Sequence, residues 1–267
     1  MKLCRVMDYT QIKVGKDEQV GIITLNAPPT NGFSKRMIVE VLDCLDKFER
    51  DNNIRAVMLK STGENFSQGA GFEDLDKDIK AGETETPFSE LGGKIVERID
   101  TYPKPTLVAA RGICFGGSTA VFSAFDIRIV GETFNIHDGD IYYGIVGSWG
   151  MCSLRLPIWI GRNKVMDYMF LNEGFTGRQA YELGLVSKVV PDDQVDEIGL
   201  AIAKKMSTAA PVAVRYFKEC VRNSIYTHLE EDRAKELEAS RIVWETEDAK
   251  EGLANIIRGK KTVFKGR

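Results

Sequence analysis

Apolar residues recur every three or four positions after Ser34: Met37, Ile38, Val41, Leu42, Leu45 and Phe48. That period puts them on one helix face through about residue 50, with Ser34 where an N-cap belongs. Shorter, denser apolar runs alternate with this pattern. "QVGIITLN" (19–26) reads as a buried strand ended by the breakers "APPTNG", "AVMLKS" (56–61) as a second, "PTLVAAR" (105–111) as a third and "DIRIVG" (126–131) as a fourth. "FSELGGKIVERIDTYP" (88–103) predicts a helix despite Gly92 and Gly93, and residues 118–125 a short helix after "CFGGS". "FSQGAGF" (66–72) is a glycine turn, and the acidic, polar stretch after it, through about 86, reads as a mobile loop. From about 195 the pattern is helical only. "LEEDRAKELEASRIVWETEDAKEGLANIIRG" (229–259) reads as a long charged amphipathic segment, packed on the core or on another subunit. The order β-α-β-turn-α-β-turn-α-β predicts an α/β fold with a mostly parallel sheet and sites at the strand exits.

Composition narrows the setting. The chain has 267 residues, 43% hydrophobic and 28% charged, with a formal net charge of −3, which fits an ordinary globular protein. No broadly basic nucleic-acid surface is expected, and no apolar run approaches the roughly twenty residues of a membrane span. "MKLCRVMDYTQIKV" carries charges where a signal peptide needs an apolar core, so a cytoplasmic protein is expected. Cys4, Cys44, Cys114, Cys152 and Cys220 are scattered, without metal-ligand spacing, and read as reduced thiols. Two histidines, His137 and His228, make no multi-histidine metal site. No metal or redox cofactor is implied.

"FSQGAGF" and "CFGGS" each follow a strand and precede a helical or loop segment. Glycine lets the chain take positive φ and lets a ligand approach the backbone. On neighbouring parallel strands, two such turns can aim one N–H each at one oxygen, an arrangement suited to a carbonyl that becomes an enolate. The alternative is a pair of tight turns without chemistry. Neither turn has phosphate-loop spacing.

Several stretches, in order, carry a resemblance to the crotonase superfamily, the enoyl-CoA hydratase/isomerase family, almost end to end. "GIITLNAPPTNGFSKRM" is similar to its opening strand, turn and helix, and "NIRAVMLKSTGENFSQGAGFEDL" to its second glycine-turn region. "PKPTLVAARGICFGGS" resembles the block ending in a glycine triplet, "GFTGRQAYELGLVSKVVP" the A-x-x-x-G-L-V hallmark, and "ETEDAKEGLANIIRGKKTVFKGR" the C-terminal tail. The resemblance implies a crotonase-like spiral of ββα units (1–195, acyl-CoA binding and catalysis) and a helical C-terminal trimerisation region (196–267), in a homotrimer or dimer of trimers. It implies an acyl-CoA thioester as ligand, with coenzyme A as part of the substrate and no separate cofactor. Ala70 and Gly117 would give the two oxyanion-hole amides. Gln68, Gly116, Phe264 and Lys265 would bind the coenzyme, Phe264 covering adenine and Lys265 meeting phosphate.

Two positions decide the chemistry that the resemblance implies. Hydratases of the family carry a glutamate three residues after the glycine matching Gly117, and here that residue is Ala120. A second family glutamate precedes a short turn, and anchoring "FNIHDGDIYYGIVGSWG" on "GIV" puts Asp140 there. Ser148 and Trp149 stand where dienoyl-CoA isomerases and aromatic dehalogenases keep an aspartate. Hydration is helped by two groups, whereas moving a double bond from the 3,4 to the 2,3 position needs one base that takes a proton from C2 and returns it at C4. Asp140 alone therefore points to double-bond isomerisation through a thioester enolate. Asp138 is the rival base in a shifted register, and His137 could polarise either aspartate or act itself. Ser118 and Thr119 are expected to cap the short helix. Tyr142, Tyr143, Trp149 and Trp159 are read as acyl-pocket or core aromatics. The alternatives are hydration of a 2-enoyl- or cyclic dienoyl-CoA, hydrolysis or C–C cleavage of a β-keto acyl-CoA, and a non-catalytic acyl-CoA-binding protein.

Overall fold

A computed structural model describes residues 8–71, 74, 87–226, 228–263 and 265. The loop expected through 86 falls mostly outside the described residues, as does Phe264. A six-stranded sheet has the order β1-β2-β3-β4-β6-β9: β1 (Ile12–Asp17), β2 (Val20–Leu25), β3 (Ala56–Ser61), β4 (Thr106–Ala110), β6 (Ile127–Gly131) and β9 (Lys188–Val190). From β2 to β9 all neighbours are parallel, as expected, with Leu25 opposite Ser61 and Leu107 opposite Ile127. A small second sheet joins β5 (Ile113–Phe115), β7 (Asn135–His137) and β8 (Phe175–Thr176). The helices are α1 (Lys35–Arg50), α2 (Pro87–Asp100), α3 (Gly117–Ser123), α4 (Leu156–Phe170), α5 (Gly177–Glu182), α6 (Val195–Ser207), α7 (Pro211–Ile225), α8 (Leu229–Trp244) and α9 (Glu247–Ile257). The repeated ββα order is the expected spiral.

The central strands β3 and β4 are covered on both faces, so they are apolar without alternation. Val57, Leu59, Val108 and Ala110 face the main core with α1, while Met58, Leu107 and Ala109 face α6 through Val195 and Ala203. The Ser34 hydroxyl accepts from the Met37 amide at 3.0 Å and starts α1 where the pattern predicts.

Two features lie beyond what the sequence pattern predicts, and one expectation, the capping of the short helix, needs correction. β1 is an additional strand, antiparallel to β2 with Asp17 opposite Val20. It is an edge strand with only Ile12 buried, so it carries no hydrophobic signal. The segment 229–259 is two helices, because the Thr246 hydroxyl accepts from the Ala249 amide at 3.0 Å and starts α9 afresh. Ser118 and Thr119 do not cap α3. The Ser118 hydroxyl lies 2.7 Å from the Phe115 carbonyl and 3.0 Å from that of Ser67, and the Thr119 hydroxyl donates to the Gly116 carbonyl at 2.8 Å. These bonds tie the glycine turn together.

Candidate active site

The chain after β3 returns beside the start of α1. Phe33 donates to the Gly69 carbonyl at 2.8 Å and accepts from the Gly71 amide at 2.9 Å. In this parallel bridge between Phe33 and Ala70, both bonds use Phe33's own groups, so the N–H of Ala70 points the other way. Gly69 makes the bend with φ +90°, and a Cβ there would lie 2.6 Å from the Phe115 carbonyl oxygen and 3.3 Å from the Gly117 nitrogen. The two glycine turns are thus in backbone contact. Gly116 has φ 55° and ψ −132°, a conformation open to glycine, and Gly117 begins α3 with no carbonyl one turn behind its amide.

One cavity is lined by Ala70, Gly116, Gly117, Ala120, Asp138 and Asp140. Phe88, Met151, Trp149 and Trp244 add its apolar wall. Trp149 is a fixed part of that wall. It is 8% exposed and meets Phe33 and Phe88 edge-on, with ring centroids 6.4 and 5.5 Å apart. A Cβ at Gly92 would stand 1.8 Å from the indole, which accounts for a glycine inside α2 at a helix cost of about 1 kcal/mol.

Asp140 opens a one-turn helix, Asp140–Tyr143, and its Oδ2 packs against Gly147, where a Cβ would be 2.7 Å away. Burial of its carboxyl, then the charge and hydrogen bonding of Asp138, then Glu236 of α8, push its pKa well above the usual aspartate value. Asp138 is 4% exposed. Its Oδ1 accepts from the Asp140 amide at 3.1 Å and its Oδ2 from the Cys152 thiol at 3.0 Å. Burial, followed by Asp138, pushes the Cys152 thiol up as well, so it stays protonated.

Of the residues singled out in the sequence, Ala70, Gly116, Gly117, Ala120, Asp138, Asp140, Ser148, Trp149 and Thr119 come together around this cavity. His137 is not among its lining residues, and its Nε2 pairs with Asn172 Oδ1 at 2.7 Å. Tyr142 is 46% exposed and donates to the Phe170 carbonyl at 2.5 Å, Tyr143 sits edge-on to Phe115, and Trp159 lies under Arg128. Gln68 stands outside the lining, its amide donating to the Thr30 carbonyl at 2.9 Å. Lys265 is exposed, 3.1 Å from Glu251. Among the described residues, no group of three His, Cys, Asp or Glu is arranged to hold a metal ion. Also among them, no helix is long and apolar enough to cross a membrane.

Cys152, Glu236 and Trp244 escape a reading of the sequence. Each is one residue in a run of ordinary composition, and only packing brings it to Asp138, Asp140 or the cavity wall. Glu236 is buried on α8, bonded to the Ser153 hydroxyl, and burial raises its pKa. The Ser240 hydroxyl of the same helix reaches the Val146 carbonyl at 3.4 Å. The C-terminal helices therefore roof the cavity.

The chain resembles known proteins over nearly its whole length. The family profile described as "Enoyl-CoA hydratase/isomerase" matches residues 15–267. A probable enoyl-CoA hydratase of Bacillus subtilis (strain 168) is 31% identical over 259 residues, 96% of this chain and 98% of that one. The 2,3-dehydroadipyl-CoA hydratase of Escherichia coli (strain K12) is 25% identical over 97% of this chain and all of its own length. The crystal structure of an enoyl-CoA hydratase/isomerase from Xanthobacter autotrophicus Py2 superposes with a TM-score of 0.84 at 26% identity, covering 94% of each chain.

Proposed function

The chain belongs to the enoyl-CoA hydratase/isomerase family, and we propose that within it the protein moves the double bond of an enoyl-CoA between the 3,4 and 2,3 positions through a thioester enolate. The observation that carries this reading is the placement of acid groups around the cavity. Position 120 presents a methyl group, and the lining carboxyls, Asp138 and Asp140, stand on one segment. Protons are then taken and returned at one point, as a 1,3-shift requires.

In this reading the thioester oxygen lies between the amides of Ala70 and Gly117, each worth roughly 3 kcal/mol as negative charge develops on it. Asp140 takes the C2 proton, the electron pair of that C–H bond enters the dienolate, and the proton returns at C4. A raised pKa makes the ionised carboxylate a stronger base than a solvated aspartate. Gln68, Gly116 and the tail with Lys265 hold the coenzyme, which is part of the substrate. Residues 1–195 hold the catalytic groups, and the helices after them supply Trp244 and the assembly surface, in the cytoplasm.

A 3-enoyl-CoA is expected to give the 2-enoyl-CoA faster than a 2-enoyl-CoA gives the 3-hydroxyacyl-CoA, as read by chromatography of both reactions under one set of conditions. Hydration running faster would replace this reading. Hydration is the second reading because the relatives above include proteins named as hydratases.

Trimerisation is supported by α7, whose Val212, Tyr216, Phe217 and Val221 are 70, 57, 70 and 41% exposed. Light scattering is expected to give three or six chain masses, and Phe217→Asp to shift the mass downward. A wild-type mass of one chain would remove the trimer.

A further inference from the structure

Asp138 is the buried group nearest the proposed base that the mechanism above does not use. Both of its oxygens accept hydrogen bonds, Oδ1 from the Asp140 amide at 3.1 Å and Oδ2 from the Cys152 thiol at 3.0 Å. These two bonds fix the Asp138 carboxyl in one orientation beside Asp140. It shares the cavity with Asp140 and is itself 4% exposed, so solvent screens its influence little.

We propose that Asp138, locked in place by Cys152, is a positioning residue: its buried carboxyl aims Asp140 and keeps the transferred proton on it until the proton is returned to the substrate. The inference rests on the reading of Asp140 as the base. The bond from the Asp140 amide fixes the backbone from which the Asp140 carboxyl projects. Departure of the Asp140 proton to water is costly, because burial and the neighbouring Asp138 carboxyl both raise the proton affinity of Asp140. No atom is gained or lost. The C2–H bond breaks as the Asp140 O–H bond forms.

The other titratable groups around the pair do not take over this role. Cys152, Cys114 of β5 and Tyr168 of α4 are all pushed up by burial and stay neutral, as does Tyr143 of the one-turn helix. Glu236 of α8 adds a weaker, like-signed influence on Asp140, and it lies near Arg155 and Arg233.

The test is the pH dependence of deuterium exchange at C2 of butyryl-CoA, which reads the base whether the enzyme isomerises or hydrates. In wild type, exchange rises with pH as Asp140 ionises. Asp138→Asn is expected to move this acid limb down by about one pH unit or more, since the neighbouring carboxyl is gone while burial remains. Cys152→Ala is expected to move it in the same direction, and Cys152→Ser, which keeps a donor to Oδ2, to restore it. In the infrared spectrum, the protonated-carboxyl band assigned by its absence in Asp140→Asn should titrate at lower pH in Asp138→Asn.

An acid limb and carboxyl band unchanged in Asp138→Asn and Cys152→Ala overturn the inference while leaving Asp140 as the base, provided that Asp140→Asn has lost exchange. Exchange persisting in Asp140→Asn but abolished at every pH in Asp138→Asn makes Asp138 the base and overturns both readings. If Asp138→Asn does not fold, the Cys152 pair decides: equal limbs in the alanine and serine variants sink the proposal.

Discussion

Asp140→Asn is expected to lower C2 deuterium exchange on an acyl-CoA by at least about a hundredfold, the low end of what a positioned general base supplies. The amide keeps the size of the side chain and its contact with Gly147 but cannot take a proton. Binding of a saturated acyl-CoA should change little, because the amides of Ala70 and Gly117 are untouched. The same variant has a stability signature of predictable sign. The folded pKa of Asp140 is raised, by burial first and by Asp138 second. The folded state therefore binds this proton more tightly than the unfolded chain, whose aspartates titrate near about 3.9. That stabilising proton is fully present below the unfolded value and is lost as pH rises through the folded one. The melting temperature of Asp140→Asn relative to wild type should thus climb as pH is raised across this window. Wild-type exchange rates in Asp140→Asn would move the base elsewhere, and a melting difference independent of pH would mean that Asp140 is not held protonated by the fold.

Gly69→Ala should cost about 10²–10³-fold in turnover, the loss associated with one misplaced oxyanion donor. The position has φ +90°, unfavourable for any residue with a Cβ, and the added methyl would lie 2.6 Å from the Phe115 carbonyl oxygen. Both neighbours of the methyl are backbone, so relief requires the turns to separate. Separation moves the Ala70 amide relative to that of Gly117, which is 3.3 Å from the same methyl. The effect should appear mainly in kcat, with KM for the acyl-CoA less affected, because the oxygen gains its charge only as the enolate forms. Unchanged kcat in a well-folded Gly69→Ala protein would detach Ala70 from the reaction.

Much of this molecule could be read before folding it. The alternation of α1 with β2 and β3 is written in periods of three to four and in dense apolar runs, because both faces of a parallel strand are buried. The bends at Gly69 and Gly116 were visible because positive φ selects glycine, and the missing acid at Ala120 was visible because a side chain's chemistry is local. Ala70 and Gly117 reach one cavity because the backbones of Ser67 and Cys114 run parallel as neighbours just before the two turns.

What the tertiary structure alone decided lies in contacts between residues distant in sequence. β1 carries one buried residue, so no pattern betrays it. Gly92 looks like a defect in α2 until Trp149 is seen to occupy the space its side chain would fill. Asp138 and Asp140 look alike in "DGD". In the fold Cys152 binds the first, while the second lies against Gly147 and feels the charge of Glu236. Proton affinity depends on the atoms and charges within a few ångströms, and only the folded chain brings those together.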